Sequence, residues 1–215
     1  MQRIDRVVLL LCAACSCLPA QTFSFGIKGG VPLNDATTGS DESPRYLVGP
    51  SVEVKLPHGL ALEVDALYRR VGETGGYAGN SVPEIVLASE TEPVILELSP
   101  ARYRGNSWEF PALGKYYFRS GKGGWQPFGA TGLALRTTSY TVDTTQVTIN
   151  PFSISTSPYR YRYTSGPDVG AVFSGGVRFH VRRFAVAPEF RYTIWGSSDP
   201  VLSRREASVM LGISY

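Results

Sequence analysis

The chain has 215 residues, with 21 Lys and Arg against 18 Asp and Glu, for a formal charge of +3. That balance leaves no electrostatic footprint for nucleic acid, and the length suits one domain. Gly (23), Tyr (12) and Phe (10) are plentiful beside two Met, which favours an all-β chain over a helical one.

Residues 1–20 have the three parts of a secretory signal. Arg3 and Arg6 give a basic start, residues 7–14 an apolar run, and Leu18-Pro19-Ala20 a small-residue exit before Gln21. The apolar run is too short to span a bilayer as a helix, and no later stretch approaches the length a spanning helix needs. Cys12, Cys15 and Cys17 all lie in this segment. The expected mature chain, 21–215, therefore has no disulfide, thiol nucleophile or cysteine metal site. Acylation at Cys15 is a lesser alternative: Ala13-Ala14 suits it, but Cys12 stands where Leu is usual. Removing the signal leaves 19 bases and 17 acids, a charge of about +2.

In chain order, apolar and polar residues alternate over 22–30, 45–56, 59–70, 107–118, 125–136, 169–181, 184–195 and 205–215. Period two predicts eight strands with one apolar face. The third run sets Leu60, Leu62, Val64, Ala66 and Tyr68 against Ala61, Glu63, Asp65, Leu67 and Arg69. The last sets Ala207, Val209, Leu211, Ile213 and Tyr215 against Glu206, Ser208, Met210, Gly212 and Ser214. Most runs reach the nine or more residues that a tilted strand needs to cross a bilayer.

The connections alternate in length. Residues 57–59, 120–124 and 182–183 are tight turns, whereas 31–44, 71–106, 137–168 and 196–204 are long. Short turns on one rim and long loops on the other are the pattern of a transmembrane barrel. If the apolar face meets lipid, the polar face is the interior of eight strands, which has room for side chains and little else. That face would hold Glu53, Glu63, Asp65, Glu109, Glu189 and Glu206 with Lys28, Lys55, Arg69, Lys115, Arg136, Arg178 and Arg191. Enclosed charges need partners to offset desolvation, and near-neutrality predicts a plugged interior. Phe23, Phe118, Trp125, Phe184 and Tyr215 would mark one interfacial girdle, and Tyr46, Tyr68, Trp108 and Tyr192 the other. Pro50, Pro111, Pro127 and Pro188 fall inside strands and remove ladder donors, so bulges or strand ends must absorb them.

These runs resemble the small eight-stranded outer-membrane β-barrel family, of the OmpA-like transmembrane-domain type. The resemblance is carried by residues 23–30, Trp108-Glu109-Phe110-Pro111, Lys115-Tyr116-Tyr117-Phe118, Pro188-Glu189-Phe190-Arg191-Tyr192 and the terminal strand. It implies an all-β, eight-stranded antiparallel up-and-down transmembrane β-barrel in the outer membrane. It also implies lipids and lipopolysaccharide as surroundings, and recognition by the barrel assembly machinery through the strand ending at Tyr215. Met210 departs from the Gly often found five residues before the final aromatic in that family.

Catalytic motifs are scarce. Gly121-Lys122-Gly123-Gly124 lacks the glycine spacing of a phosphate loop and reads as a turn. Two histidines, His58 and His180, offer little for a transition metal. His180 is expected to face inward at the short-turn end, with Arg182 where a lipid deacylase of this architecture would want Ser. We therefore expect a non-enzymatic scaffold with no cofactor, against three alternatives: a small diffusion pore, a lipid-modifying enzyme and a soluble lipocalin-like barrel. Two hairpins are expected beyond the outer rim, over 84–98 and over 137–163 with Asn150-Pro151 near its tip. Tyr159, Arg160, Tyr161, Arg162 and Tyr163 on the second could engage lipopolysaccharide phosphates, a surface glycan or a protein. The favoured expectation is that the Glu-rich first hairpin pairs with this basic arm as a cap.

Overall fold

The computed structural model describes residues 23–33, 40–41, 46–76, 94–118, 124–150, 153–196 and 202–215. Its strands are β1 (Phe23–Pro32), β2 (Ser40–Asp41), β3 (Leu47–Lys55), β4 (Leu60–Asp65), β5 (Leu67–Gly76), β6 (Val94–Tyr117), β7 (Trp125–Asn150), β8 (Ser153–Val181), β9 (Phe184–Trp195) and β10 (Arg205–Ser214). Neighbours run antiparallel in one sheet. β1 pairs with β3 on one side and β10 on the other, so the sheet closes and leaves no edge within the ring. The seam is knitted by Tyr215 N–H donating to the Phe25 carbonyl at 2.9 Å.

β4 and β5 are one stave of that ring. The pairing of Ser51 with Asp65 and of Val48 with Tyr68 keeps a single register across the interruption at Ala66. The same continuity holds on the β6 side, from Val64 opposite Ala112 to Leu67 opposite Glu109. Eight staves result, with β2 a two-residue addition beside β5.

The interruption explains two of the prolines. By register, Pro50 lies opposite Ala66 and Pro111 opposite Asp65. Ladder bonding lapses at the residues that face the missing donors, and Ala66 N–H still donates to the Pro50 carbonyl at 3.0 Å. Pro188 falls in a second gap, whereas Pro127 lies near the start of β7, where its carbonyl accepts from Phe118 N–H at 2.9 Å. Val177 faces Pro127 on β7, and the β8–β9 pairing passes from Gly176–Glu189 to Phe179–Val186 where Pro188 falls. Pro50, Pro111 and Pro188 are thus absorbed by lapses in pairing and Pro127 by its place near a strand end, without any shift of register at these points.

The apolar face points outward, as Phe25, Ile27, Leu62, Val64, Phe110, Leu133, Phe173, Phe190, Leu211 and Ile213 are all exposed. From Trp108 to Phe118 that band is about 25 Å tall at the tilt of such strands. At the short-turn rim, residues 57–59 form a 3-10 turn with His58 and Gly59 at φ +65° and +80°, and Arg182 turns at φ +56°. Residues 119–123 lie outside the described residues.

Beyond the outer rim, three strands run further than the apolar pattern indicated. The runs expected at 107–118, 125–136 and 169–181 are the membrane portions of β6, β7 and β8, which have 24, 26 and 29 residues. Thr, Val and Tyr over 137–148 favour extended chain there. β7 and β8 stay paired from Trp125–Phe179 to Asn150–Ser153. Only part of the expected first hairpin falls among the described residues. Residues 84–93 lie outside the described residues, and Val94 to Leu98 pair with Ile149 to Thr145 of β7. β7 thus separates this arm from the basic segment of β8, so the two do not pair as a cap.

Candidate functional site

Period two sends every second side chain of each stave into a closed lumen, and thirteen of these buried side chains are charged. Glu53, Glu63, Asp65, Arg69, Glu109, Lys115, Arg136, Arg178, Glu189 and Arg191 are all at most 7% exposed. Lys28, Asp168 and Glu206 are buried with them, giving seven acids and six bases. Lys55 is exposed at the short-turn end, which corrects its interior assignment. Asp168 replaces it in the set. The sixth strand was expected to start at 169, one residue short of this carboxylate.

The charges are arranged in connected tiers. Nearest the short turns, Glu53 accepts from Arg178 and, at 2.6 Å, from the Tyr117 hydroxyl. Arg178 also donates to Tyr117 Oη at 2.9 Å and to Ser214 Oγ at 3.1 Å. Lys115 joins this tier to the next, lying 3.7 Å from Glu53 and against Glu63 and the Phe128 ring.

In the middle tier Lys28 meets Glu63, Asp65 and Glu189, the last at 2.9 Å. Arg191 meets Asp65 at 2.9 Å and Glu189 at 2.8 Å. Higher up, Arg69 makes a two-pronged bond to Glu206, both contacts at 3.0 Å, and approaches Glu109 at 3.3 Å. Above the charges, Arg136 bonds Asp168 at 2.9 Å and covers the indole of Trp195 at 4.2 Å. Trp195 packs with Leu113, Ala134 and Val172, and Val71, Tyr140, Val142 and Leu202 form a further buried cluster.

This interior is packed. A cavity of about 20 Å³ lies among Ser24, Lys28, Glu53, Glu63, Lys115 and Arg178, room for about one water. Two glycines are needed by that packing. A Cβ on Gly30 would sit 2.1 Å from Met210 Sδ, and one on Gly170 2.7 Å from the Trp195 ring. Met210 is therefore an interior filler opposite a glycine, which accounts for a bulky residue in the terminal strand. His180 is exposed at the short-turn rim.

The loop residues singled out from sequence are split by strand alternation. Tyr159, Tyr161 and Tyr163 lie opposite Thr144, Val142 and Tyr140, which are buried, so the tyrosines share the inner face. Tyr161 packs on the Val71 cluster, and its ring is 5.7 Å from that of Tyr159. Arg160 and Arg162 take the outward face, opposite Asp143 and Thr141, and Arg160 pairs with Asp143.

No protein-family model matches the sequence, and no curated protein matches it. Solved structures do. Neisserial surface protein A is 11% identical with a TM-score of 0.50, over 91% of this chain and 96% of that one. The N-terminal β-barrel domain of Pseudomonas aeruginosa OprF is 14% identical with a TM-score of 0.40, over 89% and 95%. Ail, the attachment invasion locus protein of Yersinia pestis, was solved with the heparin analogue sucrose octasulfate. It is 13% identical with a TM-score of 0.43, over 90% and 95%. The closed ring, the outward apolar band and the likeness to Neisserial surface protein A define the class. The chain has the fold of the small eight-stranded outer-membrane β-barrels.

Proposed function

We propose that this protein is a non-enzymatic outer-membrane scaffold, a rigid stand that carries an extended sheet beyond the outer rim to meet surface ligands. In this reading residues 1–20 are removed on export and 21–215 form one barrel domain. The strand ending at Tyr215 is read by the assembly machinery. The surrounding partners are lipids and lipopolysaccharide, with a surface glycan or protein at the extended sheet. No cofactor takes part.

The observation that carries the reading is the interior: thirteen buried charges joined by ion pairs, with a cavity of about 20 Å³. A lumen filled in this way supports a stand more readily than a path for solutes. The long arms of β6, β7 and β8 put the remaining chemistry above the membrane, where loops and hairpins on a rigid frame carry recognition. The test is reconstitution of folded protein into planar bilayers. The scaffold reading expects a membrane with no current steps; reproducible steps that change when Arg178 and Arg191 are replaced by Ala would replace it with a pore.

A further inference from the structure

The outward face of the extended sheet carries five arginines in three adjoining rows. Directly above the outer aromatic girdle, Arg70 of β5 stands opposite Asn106, which accepts a 2.7 Å bond from the Tyr68 hydroxyl. The next row reads Arg104, Thr141, Arg162 across β6, β7 and β8, and the third reads Arg102, Asp143, Arg160. Arg70, Arg104, Arg160 and Arg162 are exposed. Asp143 is the only acid among the described side chains of this patch, and it lies between the two arginines of its own row.

The middle row is different. Arg104 and Arg162 flank a threonine, so two guanidinium groups stand about 10 Å apart at the backbone with no carboxylate between them. Long side chains from both sides can close on one tetrahedral anion there, and guanidinium forks match phosphate oxygens in pairs. Arg70 approaches from the row beneath.

Height decides which anion. A strand tilted as in such barrels climbs about 2.5 Å per residue along the membrane normal. Arg70 then lies about 5 Å, and the Arg104–Arg162 row about 10 Å, above the Trp108 girdle. This is the level of the head groups, which occupy the several ångströms outside the hydrocarbon. The patch is also continuous with the lipid-facing wall below it, where Trp108 stacks on Phe110 with centroids 6.2 Å apart.

We infer that Arg70, Arg104 and Arg162 form a docking site for the phosphate groups of a phosphorylated glycolipid in the outer leaflet, with the acyl chains held along the adjoining apolar wall. The inference rests on the outer-membrane reading above and gives it a particular partner. It also assigns a role to Arg70 and Arg104, which sequence reasoning passed over; cross-strand register, which the sequence does not show, is what joins them to Arg162.

The test uses folded full-length protein in detergent micelles doped with lipid A that carries both phosphates, or with its dephosphorylated form. Lipid retained after gel filtration is measured by mass spectrometry. A heat-modifiability gel run on each sample shows whether the barrel is folded. Wild type is expected to retain the phosphorylated lipid and to lose it with rising salt. The triple variant Arg70→Gln, Arg104→Gln, Arg162→Gln should keep its heat shift and bind about tenfold more weakly. A second variant, Arg182→Gln/Arg183→Gln at the opposite rim, should bind as wild type.

Equal retention by the folded triple variant, or equal retention of dephosphorylated lipid by wild type, overturns the inference and leaves the barrel reading intact. Soluble pyrophosphate binding as tightly as the phosphorylated lipid overturns it in favour of a soluble anion. Loss of the heat shift in wild type itself removes the outer-membrane reading on which it rests.

Discussion

Arg69→Leu is the sharpest test of a dry interior. Arg69 is 2% exposed and holds Glu206 through two bonds of 3.0 Å while approaching Glu109 at 3.3 Å. Leucine would leave both buried carboxylates without this cation. Breaking a buried pair from one side costs about 3–5 kcal/mol, because the remaining charge stays desolvated. In urea unfolding followed by tryptophan fluorescence in detergent or liposomes, that cost lowers the midpoint by more than about 1 M. Glu206→Gln added to Arg69→Leu removes one stranded charge and should recover about 1–3 kcal/mol. A single Arg69→Leu change within about 1 kcal/mol of wild type would refute the reasoning, since only water in the lumen could screen the charges so well.

Leu62→Arg places a cation on the outward wall, where Leu62 is 54% exposed, and should cost about 2–4 kcal/mol at mid-membrane, read as loss of stable insertion into liposomes. Gly30→Ala forces a methyl toward Met210 Sδ and the Val209 carbonyl oxygen, 2.1 and 2.6 Å from the added Cβ, and should cost about 1–3 kcal/mol in the same urea assay; adding Met210→Ala should recover only part of that, because the backbone oxygen stays in place. Joining β7 to β8 by a short turn at Thr145–Pro158 removes the outer end of the hairpin and, with it, the β7 partners of Val94 to Glu97. The heat shift and urea midpoint should then match wild type, because the buried charge tiers are untouched.

Much of this fold is written in period two. The eight staves, their outward faces and the short and long rims can all be read from alternation, because lipid on one side and enclosed charge on the other demand opposite chemistry at successive residues. Alternation gives no account of what happens once lipid is gone. Thr138, Tyr140 and Val142 face inward above the membrane while Ser139 and Thr141 face outward, so the contrast fades there; the hairpin over 137–163 with its tip near Asn150 was expected and is present, but not as an unbroken continuation of the membrane strands. The partners of the arms were equally hidden. Glu97 lies opposite Gln146 of β7, although charge alone suggested the basic arm of β8.

The interior charges were legible as residues of one face, but their pairing was not. Lys28, Glu63, Asp65 and Glu189 come from β1, β4 and β9 and meet only through closure of the ring. The prolines needed register as well. Pro50 and Pro111 are spaced 61 positions apart in the chain, yet they flank adjoining residues of one stave.

The central claim is a barrel that crosses the outer membrane with β7 and β8 outside and the tight turns inside. Single cysteines test it directly, at Ser155 on the outer part of β8 and at Arg182 in the β8–β9 turn, both exposed. An impermeant maleimide applied to intact cells should label Ser155→Cys at once, and Arg182→Cys only after the outer membrane is permeabilised, with wild type as the background. Equal labelling of both positions on intact cells, or of neither until lysis, would contradict the account.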